Sequence, residues 1–373
     1  MVLNSLGLIP LRGCEAFVDK VEYYIKFWRN YTGSYKISVN CPRFSTGEAK
    51  GLIAESVRGK DIFLFVDPFN HSITYKMYGA VNRMSPDDHF QDTKRILSAI
   101  GGQAKRITVI MPMLYEGRQH RKLFRESLDC AYSLQELVRM GVSNIITFDA
   151  HDPRVQNAIP LSGFDNMQAK YQMVKALTRQ YADVEFMSGR TVLISPDNGG
   201  VDRCLSYSSS LNLDIGMFYK RRDAVIVVDG SNPIEDHKYI GPDVVGKDAI
   251  VVDDMVSSGD SLLDTFRILR ELGVRRNFAF VTFGLFCNGL KKFDDAYAAG
   301  LFDKLFLTNL IYTPEDLAAR EWANIVDMSK YTAYVVEAIN QEASVGAIID
   351  PNKKISALLG RMSGERAACA AAR

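Results

Sequence analysis

Residues 249–263, Ala-Ile-Val-Val-Asp-Asp-Met-Val-Ser-Ser-Gly-Asp-Ser-Leu-Leu, constrain the fold more than any other stretch of the chain. Four small or β-branched apolar residues open it, the pattern of a short strand buried on both faces of a parallel sheet. An apolar period of 3.6 residues from Leu262 through Leu272 follows and predicts a helix. Between them lies a turn of small hydroxyl residues with one glycine. Backbone N–H groups at such a helix start lack partners within the helix and carry its positive dipole end, so the turn predicts an anion seat suited to phosphate. Asp253 and Asp254 stand at the carboxyl end of the strand, where open α/β sheets bind ligands. Two carboxylates repel a phosphate but accept hydrogen bonds from vicinal hydroxyls, so a sugar phosphate suits both halves. A strand-end acid pair that caps the helix or faces water is the plain structural alternative.

At 373 residues the chain is too long for one ordinary domain and suits two. Its formal net charge of +1 provides no global field to draw nucleic acid or an anionic membrane. Any phosphate chemistry then rests on local clusters. Cys14, Cys41, Cys130, Cys204, Cys287 and Cys369 show no CxxC spacing, which argues against a zinc site or a disulfide framework. No basic n-region precedes a long apolar stretch, and no apolar run nears the roughly 18 residues of a membrane span. A soluble, cytoplasmic protein with no nucleic-acid or membrane partner is expected.

Along the chain, residues 1–33 read as an N-terminal extension in which Phe17, Val21, Tyr24, Ile25 and Trp28 recur at near-helical spacing. Strands are predicted over 36–39, 62–66, 107–112, 144–148, 192–195, 215–219, 278–284 and 304–310. Helices are predicted over 88–100, 127–140, 166–181, 289–299 and from about 326 through Ile339. Residues 225–228 read as the returning arm of a hairpin, 67–86 as an insertion, and 361–373 as a disordered tail. Arg118, Arg121, Lys122 and Arg125 crowd a loop with Gly117, which suits a mobile lid over a polyphosphate, since guanidinium groups clamp phosphate oxygens in pairs. After 192–195, Asp197 offers the oxygen ligand magnesium prefers, and Gly199 and Gly200 let backbone approach a ligand. Alternation along an extended segment puts Lys220 and Arg222 on one face and Arg221 on the other.

The loop at 253–261 resembles the ribose-phosphate binding loop of the type I phosphoribosyltransferase fold. That fold is shared by transferases that consume phosphoribosyl pyrophosphate and by the synthase that makes it. Five further motifs, at 44–48, 118–119, 149–151, 195–200 and 220–222, occur in the order found in phosphoribosyl pyrophosphate synthases, or ribose-phosphate diphosphokinases. The resemblance spans about 36–350. It implies an α/β chain of two tandem type I phosphoribosyltransferase-like domains, each a mainly parallel sheet flanked by helices. The N-terminal domain is expected over 34–164 plus 329–360, and the C-terminal domain, holding the ribose-phosphate loop, over 165–328. The implied reaction moves the diphosphoryl group of MgATP to the 1-hydroxyl of ribose 5-phosphate, giving 5-phosphoribosyl 1-pyrophosphate and AMP.

Residue roles follow from the same resemblance. Phe44 stacks on the purine, Thr46 and Glu48 offer it acceptors, and Arg118, Gln119 and His151 also bind ATP. His151 and Asp197 hold Mg²⁺, while Lys220, Arg222 and Arg118 stabilise charge on the transferred group. Asp253 and Asp254 orient the ribose hydroxyls, and Ser257, Ser258, Gly259, Asp260 and Ser261 seat the 5-phosphate. Ser56 and Arg58 match a regulatory phosphate site, with inorganic phosphate as activator. The Phe44 segment reaches across a subunit interface in that family, which implies a dimer-based homo-oligomer, up to a hexamer. Thr46 replaces the usual Asn, His120 an Asp, Ser257 the third Asp of the loop, Ser258 a Thr, Asp260 a Gly and Ser261 the last Thr. A carboxylate at Asp260 repels the phosphate unless it points away or holds a cation. Two alternatives stay open: a non-catalytic, synthase-like regulatory subunit, and a phosphoribosyltransferase, which needs one such domain and no Arg-Gln loop.

Overall fold

Short, mainly apolar runs become the inner strands of two mainly parallel sheets, one in each of two units. The structure, a computed structural model, describes residues 5–222 and 234–371, with side chains described outside 220–237 and 363–371. The first unit holds the chain up to Ala169 together with Asn309–Tyr312 and Asp327–Ile349. The second holds Lys170–Thr308, Thr313–Val326 and the chain from Asp350.

The first unit opens with β1 (Leu6–Pro10) and α1 (Glu15–Arg29), then a short ladder of β2 (Val39–Asn40) and β3 (Leu52–Ile53). After β4 (Asp61–Phe65) come a hairpin of β5 (Thr74–Met77) and β6 (Ala80–Arg83), α2 (Pro86–Ile100), β7 (Arg106–Ile110), α3 (Asp129–Arg139), β8 (Asn144–Phe148) and β9 (Gly163–Met167). Among the described residues its main sheet runs β1-β4-β7-β8-β9, parallel throughout. Phe90, Ile96 and Leu97 of α2 and Leu134 and Leu137 of α3 share a core with Ile62, Leu64 and Val109. Ser85 starts α2 in a reciprocal box with Asp88, satisfying amides that the helix cannot pair.

The second unit runs α4 (Lys170–Gln180), β10 (Thr191–Ser195), α5 (Val201–Leu211), β11 (Asp214–Arg222), β12 (Ile234–Ile240), β13 (Asp248–Val256), α6 (Asp260–Glu271), β14 (Arg276–Gly284), α7 (Lys291–Ala298), β15 (Lys304–Thr308), α8 (Glu315–Ala318) and β16 (Ala323–Val326). Its sheet is ordered β12-β11-β10-β13-β14-β15-β16, with β12 antiparallel and the others parallel. Val192, Ile194, Val251, Phe266, Leu269, Phe302 and Trp322 form its core. Then α9 (Ser329–Asn340) and α10 (Gly346–Ile349) return to the first unit, and α11 (Asn352–Ala371) belongs to the second.

Four expectations need correction. The extension expected over 1–33 is, from residue 5 on, no appendage: β1 pairs with β4 from Leu6↔Asp61 to Pro10↔Phe65, and Val18, Val21 and Ile25 of α1 are buried. The helix expected over 166–181 starts only at Lys170, because Asn166 and Met167 pair in parallel with Thr147 and Phe148. Residues 361–371 continue α11 rather than forming a loose tail, and the part expected over 329–360 stays with the first unit only to Ile349, the chain from Asp350 grouping with the second. Alternation through Lys220–Arg222 assumed a regular ladder, whereas the pairing with β12 shifts register between Arg221 and Arg222, as at a bulge. The proposed returning arm at 225–228 lies outside the described residues. No helix among the described residues is long and apolar enough to cross a membrane.

Candidate active site

The second sheet reverses its order at β10, since β11 lies on one side of it and β13 on the other. Such a switch point opens a crevice at the carboxyl ends of the two diverging strands. The acid pair and the Asp197 turn both stand there. β13 does not stop at the acid pair as expected but continues to Val256, because β14 runs beside it as far as Gly284. Asp254 is buried, at 3 % exposure. Arg203 of α5 faces both carboxylates, its Nη1 3.9 Å from Asp253 Oδ1 and its Nη2 3.6 Å from Asp254 Oδ2. These separations allow attraction without a close hydrogen bond. Burial, and then the adjacent Asp254, push the Asp253 carboxyl well above its ordinary range, with Arg203 opposing them. Two adjacent carboxyls in this setting resist carrying two full charges without a partner.

The turn into α6 is closely specified. Gly259 has φ +85°, and a Cβ there would lie 2.3 Å from Phe293 Cζ, so only glycine fits. Being a glycine, this N-cap brings no side-chain acceptor to the first amides of α6. Asp260, the carboxylate expected to repel a phosphate, is held by Lys292, whose Nζ lies 2.6 Å from Oδ1. That bond, against partial burial and with help from the Ser258 hydroxyl, keeps the Asp260 carboxyl below its usual range. Ser257 Oγ is 3.5 Å from the sulfur of exposed Cys287. Asp197 Oδ1 accepts from the amides of Gly199 at 2.9 Å and Gly200 at 3.1 Å, which ties that carboxylate to the turn. The main chains of Lys220 and Arg222 belong to β11, next to β10; their side chains lie outside the described residues.

In the first unit β7 and β8 are neighbours, and the loops after their carboxyl ends meet. His120 Nε2 lies 3.5 Å from Asp152 Oδ2, and its ring stands edge-on to His151 with centroids 5.3 Å apart. Gln119 Nε2 donates to Ser127 O at 2.8 Å, and Arg118 is exposed. The bond from Arg154, against burial, holds the Asp152 carboxyl down at about 2. Asp149 adopts φ +42° and donates its N–H to Met167 O at 2.7 Å, so it shapes the turn. The Phe44 segment is a tight turn with Phe44 54 % exposed, and Thr46 Oγ1 donates to Glu48 Oε2 at 2.9 Å. Ser56 and Arg58 are both exposed on a loop where the Arg58 N–H reaches Ser56 Oγ at 3.4 Å.

Arg203 and Lys292 escaped the sequence reading. Arg203 follows the Gly-Gly turn by three residues and Lys292 lies 32 residues beyond Asp260, so only strand order brings either to the acid pair or the phosphate turn. A cation in the first turn of a helix after a switch-point strand was the available signal for Arg203.

Residues 8–141 match the N-terminal domain of ribose phosphate pyrophosphokinase, and residues 223–349 match the phosphoribosyl synthetase-associated domain. The ribose-phosphate pyrophosphokinase of Mycoplasma pneumoniae is 31% identical over 275 residues, covering 72% of this chain and 74% of that protein. That of Vibrio parahaemolyticus is 27% identical over 316 residues, covering 83% and 90%. Phosphoribosylpyrophosphate synthetase from Mycobacterium smegmatis shares the fold with a TM-score of 0.73 at 21% identity, over 91% of this chain and 100% of that one.

Proposed function

The chain belongs to the ribose-phosphate pyrophosphokinase family of enzymes, and from that premise we propose that it transfers the diphosphoryl group of ATP to the 1-hydroxyl of ribose 5-phosphate, releasing AMP. The observation that carries this reading is the switch point of β10 and β13, which joins an acid pair suited to ribose hydroxyls to a helix start suited to phosphate. Diphosphoryl transfer needs in-line positioning and charge neutralisation more than covalent catalysis. Asp253 and Asp254 accept from the sugar hydroxyls, with Arg203 limiting their mutual repulsion. Residues 257–261 seat the 5-phosphate. Phe44, Thr46, Glu48, Arg118, Gln119 and His151 serve the nucleotide. Lys220, Arg222 and Arg118 stabilise charge on the moving group, each contributing roughly a few kcal/mol. The exposed Phe44 turn supports assembly with further copies, and Ser56 with Arg58 supports activation by inorganic phosphate.

Magnesium prefers to keep waters and to take one or two carboxylates plus substrate phosphates rather than an all-protein cage. Asp197 offers such a carboxylate on the turn after β10. Asp197 and His151 are the residues that would hold the ion, and when bound it neutralises phosphate charge.

Purified protein given ATP, Mg²⁺ and ribose 5-phosphate is expected to form AMP and 5-phosphoribosyl 1-pyrophosphate in equal amounts. Formation of ADP, or of neither product, would overturn the assignment. Lys292→Met is expected to raise the KM for ribose 5-phosphate about five-fold, because it leaves the Asp260 charge without its cation in the phosphate seat. Adding Asp260→Gly to that variant is expected to restore the lost affinity; no recovery would show that the pair does not govern the seat.

A further inference from the structure

The insertion at 67–86 has no role in the function just proposed, yet it is built onto the turn assigned to the nucleotide base. β5 and β6 pair from Thr74↔Arg83 to Met77↔Ala80, which leaves Tyr78 and Gly79 as a two-residue tip. Both adopt positive φ, +47° and +80°, as the twist of a tight hairpin favours. Asn, Asp or Gly ordinarily fills the first of these positions, so a tyrosine there is held against its backbone preference. The residue is 81 % exposed, so burial of the ring does not account for it.

The hairpin is fastened to the Phe44 turn along its length. The Tyr78 N–H donates to Ser45 O at 2.8 Å. Gly47, at φ +92°, lies so close to Met77 that a Cβ would come 2.7 Å from Sδ. At the base, the Arg43 guanidinium sits 4.9 Å from the centre of the Tyr75 ring and reaches Asp92 Oδ2 at 3.0 Å, while the Tyr75 hydroxyl donates to Asp88 at 3.3 Å. Ser45 adjoins Phe44, so two exposed aromatic residues stand on backbones joined by one hydrogen bond.

We propose that the β5–β6 hairpin is a nucleotide-positioning element and that Tyr78 is a specificity-determining residue, giving the purine base a second aromatic contact beside Phe44. This rests on the reading that the 44–48 turn serves ATP. A purine is the occupant that fits, because its flat faces stack on aromatic rings while its polar edge meets Thr46 and Glu48. Strain retained at an exposed tip is the cost of presenting a ring that a glycine or asparagine would not supply.

Tyr78→Gly removes the ring and suits the positive φ, so the fold is kept. It is expected to weaken ATP binding in equilibrium dialysis, and to raise the KM for ATP, by about ten-fold. The KM for ribose 5-phosphate stays as in the wild type. Tyr78→Phe, which keeps the ring, is expected to bind ATP like the wild type. Unchanged ATP affinity in Tyr78→Gly would overturn the inference, as would an equal rise in both KM values. A wild type that forms no product would instead defeat the proposed function, and dialysis of ATP against wild type and Tyr78→Gly still decides the role of the ring.

Discussion

Asp253→Asn is expected to yield a protein that is more stable than the wild type near neutral pH and far less active. Burial and the neighbouring Asp254 raise the folded-state pKa of Asp253 above its unfolded value, and Arg203, at 3.9 Å, offsets only part of this. Between those two values the folded state holds a proton that the unfolded state has released. Stability therefore falls as pH rises through that window, and the penalty is complete above it. An amide carries no such penalty, so the gain is expected at pH 7.5 and is expected to vanish near pH 3.5. An amide also replaces an ionised acceptor by a group that is half donor. Losing a charge-assisted hydrogen bond to a sugar hydroxyl costs about 2–3 kcal/mol, which lowers kcat/KM for ribose 5-phosphate roughly a hundred-fold. Thermal unfolding at the two pH values, together with steady-state kinetics, checks both halves. A variant less stable at neutral pH, or one with unchanged kcat/KM, would contradict this role for Asp253.

Asp248→Ala is expected to destabilise the second unit severely. Asp248 begins β13 with no exposed surface and is clasped by two guanidinium groups. Arg276 donates from Nε at 3.0 Å and from Nη2 at 2.8 Å, and Arg275 donates from Nε at 2.8 Å. Burial pushes its carboxyl upward, yet the two arginines outweigh burial and hold it below the usual range. Its contribution is therefore present above the unfolded carboxylate pKa and is lost as pH falls through the folded value. Removing it strands Arg276, whose side chain is 16% exposed, without its main partner. Breaking one side of such a buried pair costs about 3–5 kcal/mol. For a unit of this size that lowers the melting temperature by on the order of 10 °C. A fall of under 2 °C would show that solvent replaces the arginine contacts. The first unit repeats the device: Asp61, paired in register with Arg106 at the start of β4, accepts from it at 2.9 Å. Recurrence of an acid–arginine clasp at the entry of an inner strand is consistent with two related halves.

Much of the two main sheets was legible because the information is local. β4, β10 and β13 have apolar runs with boundaries marked by charge, and α2 carries its start signal in Ser85 and Asp88. β1 was missed because five residues, Leu6–Pro10, do not distinguish a strand by period, and its partner lies more than fifty residues downstream. β9 was missed for a similar reason, its last two residues falling inside the helix expected from 166, since Asp165 and Asn166 disfavour a strand until β8 is there to pair with them. At the site, the strand–turn–helix form of 248–271 announced itself, including the glycine that Phe293 makes obligatory. The electrostatics did not. Whether Asp260 repels a phosphate depends on Lys292, and whether Asp253 is strained depends on Arg203. Both are set by strand order, which no local pattern encodes. The hairpin at 74–83 was visible as extra length, but its attachment to Ser45 and Gly47 was not.

The fate of a label on the β-phosphorus of ATP tests the central claim most directly. With ribose 5-phosphate and Mg²⁺ present, the two terminal phosphates are expected to move together, so the label appears in 5-phosphoribosyl 1-pyrophosphate and the AMP released is unlabelled. Label recovered in ADP, with a single phosphate on the sugar, would contradict diphosphoryl transfer and leave the acid pair and phosphate turn serving an ordinary sugar kinase.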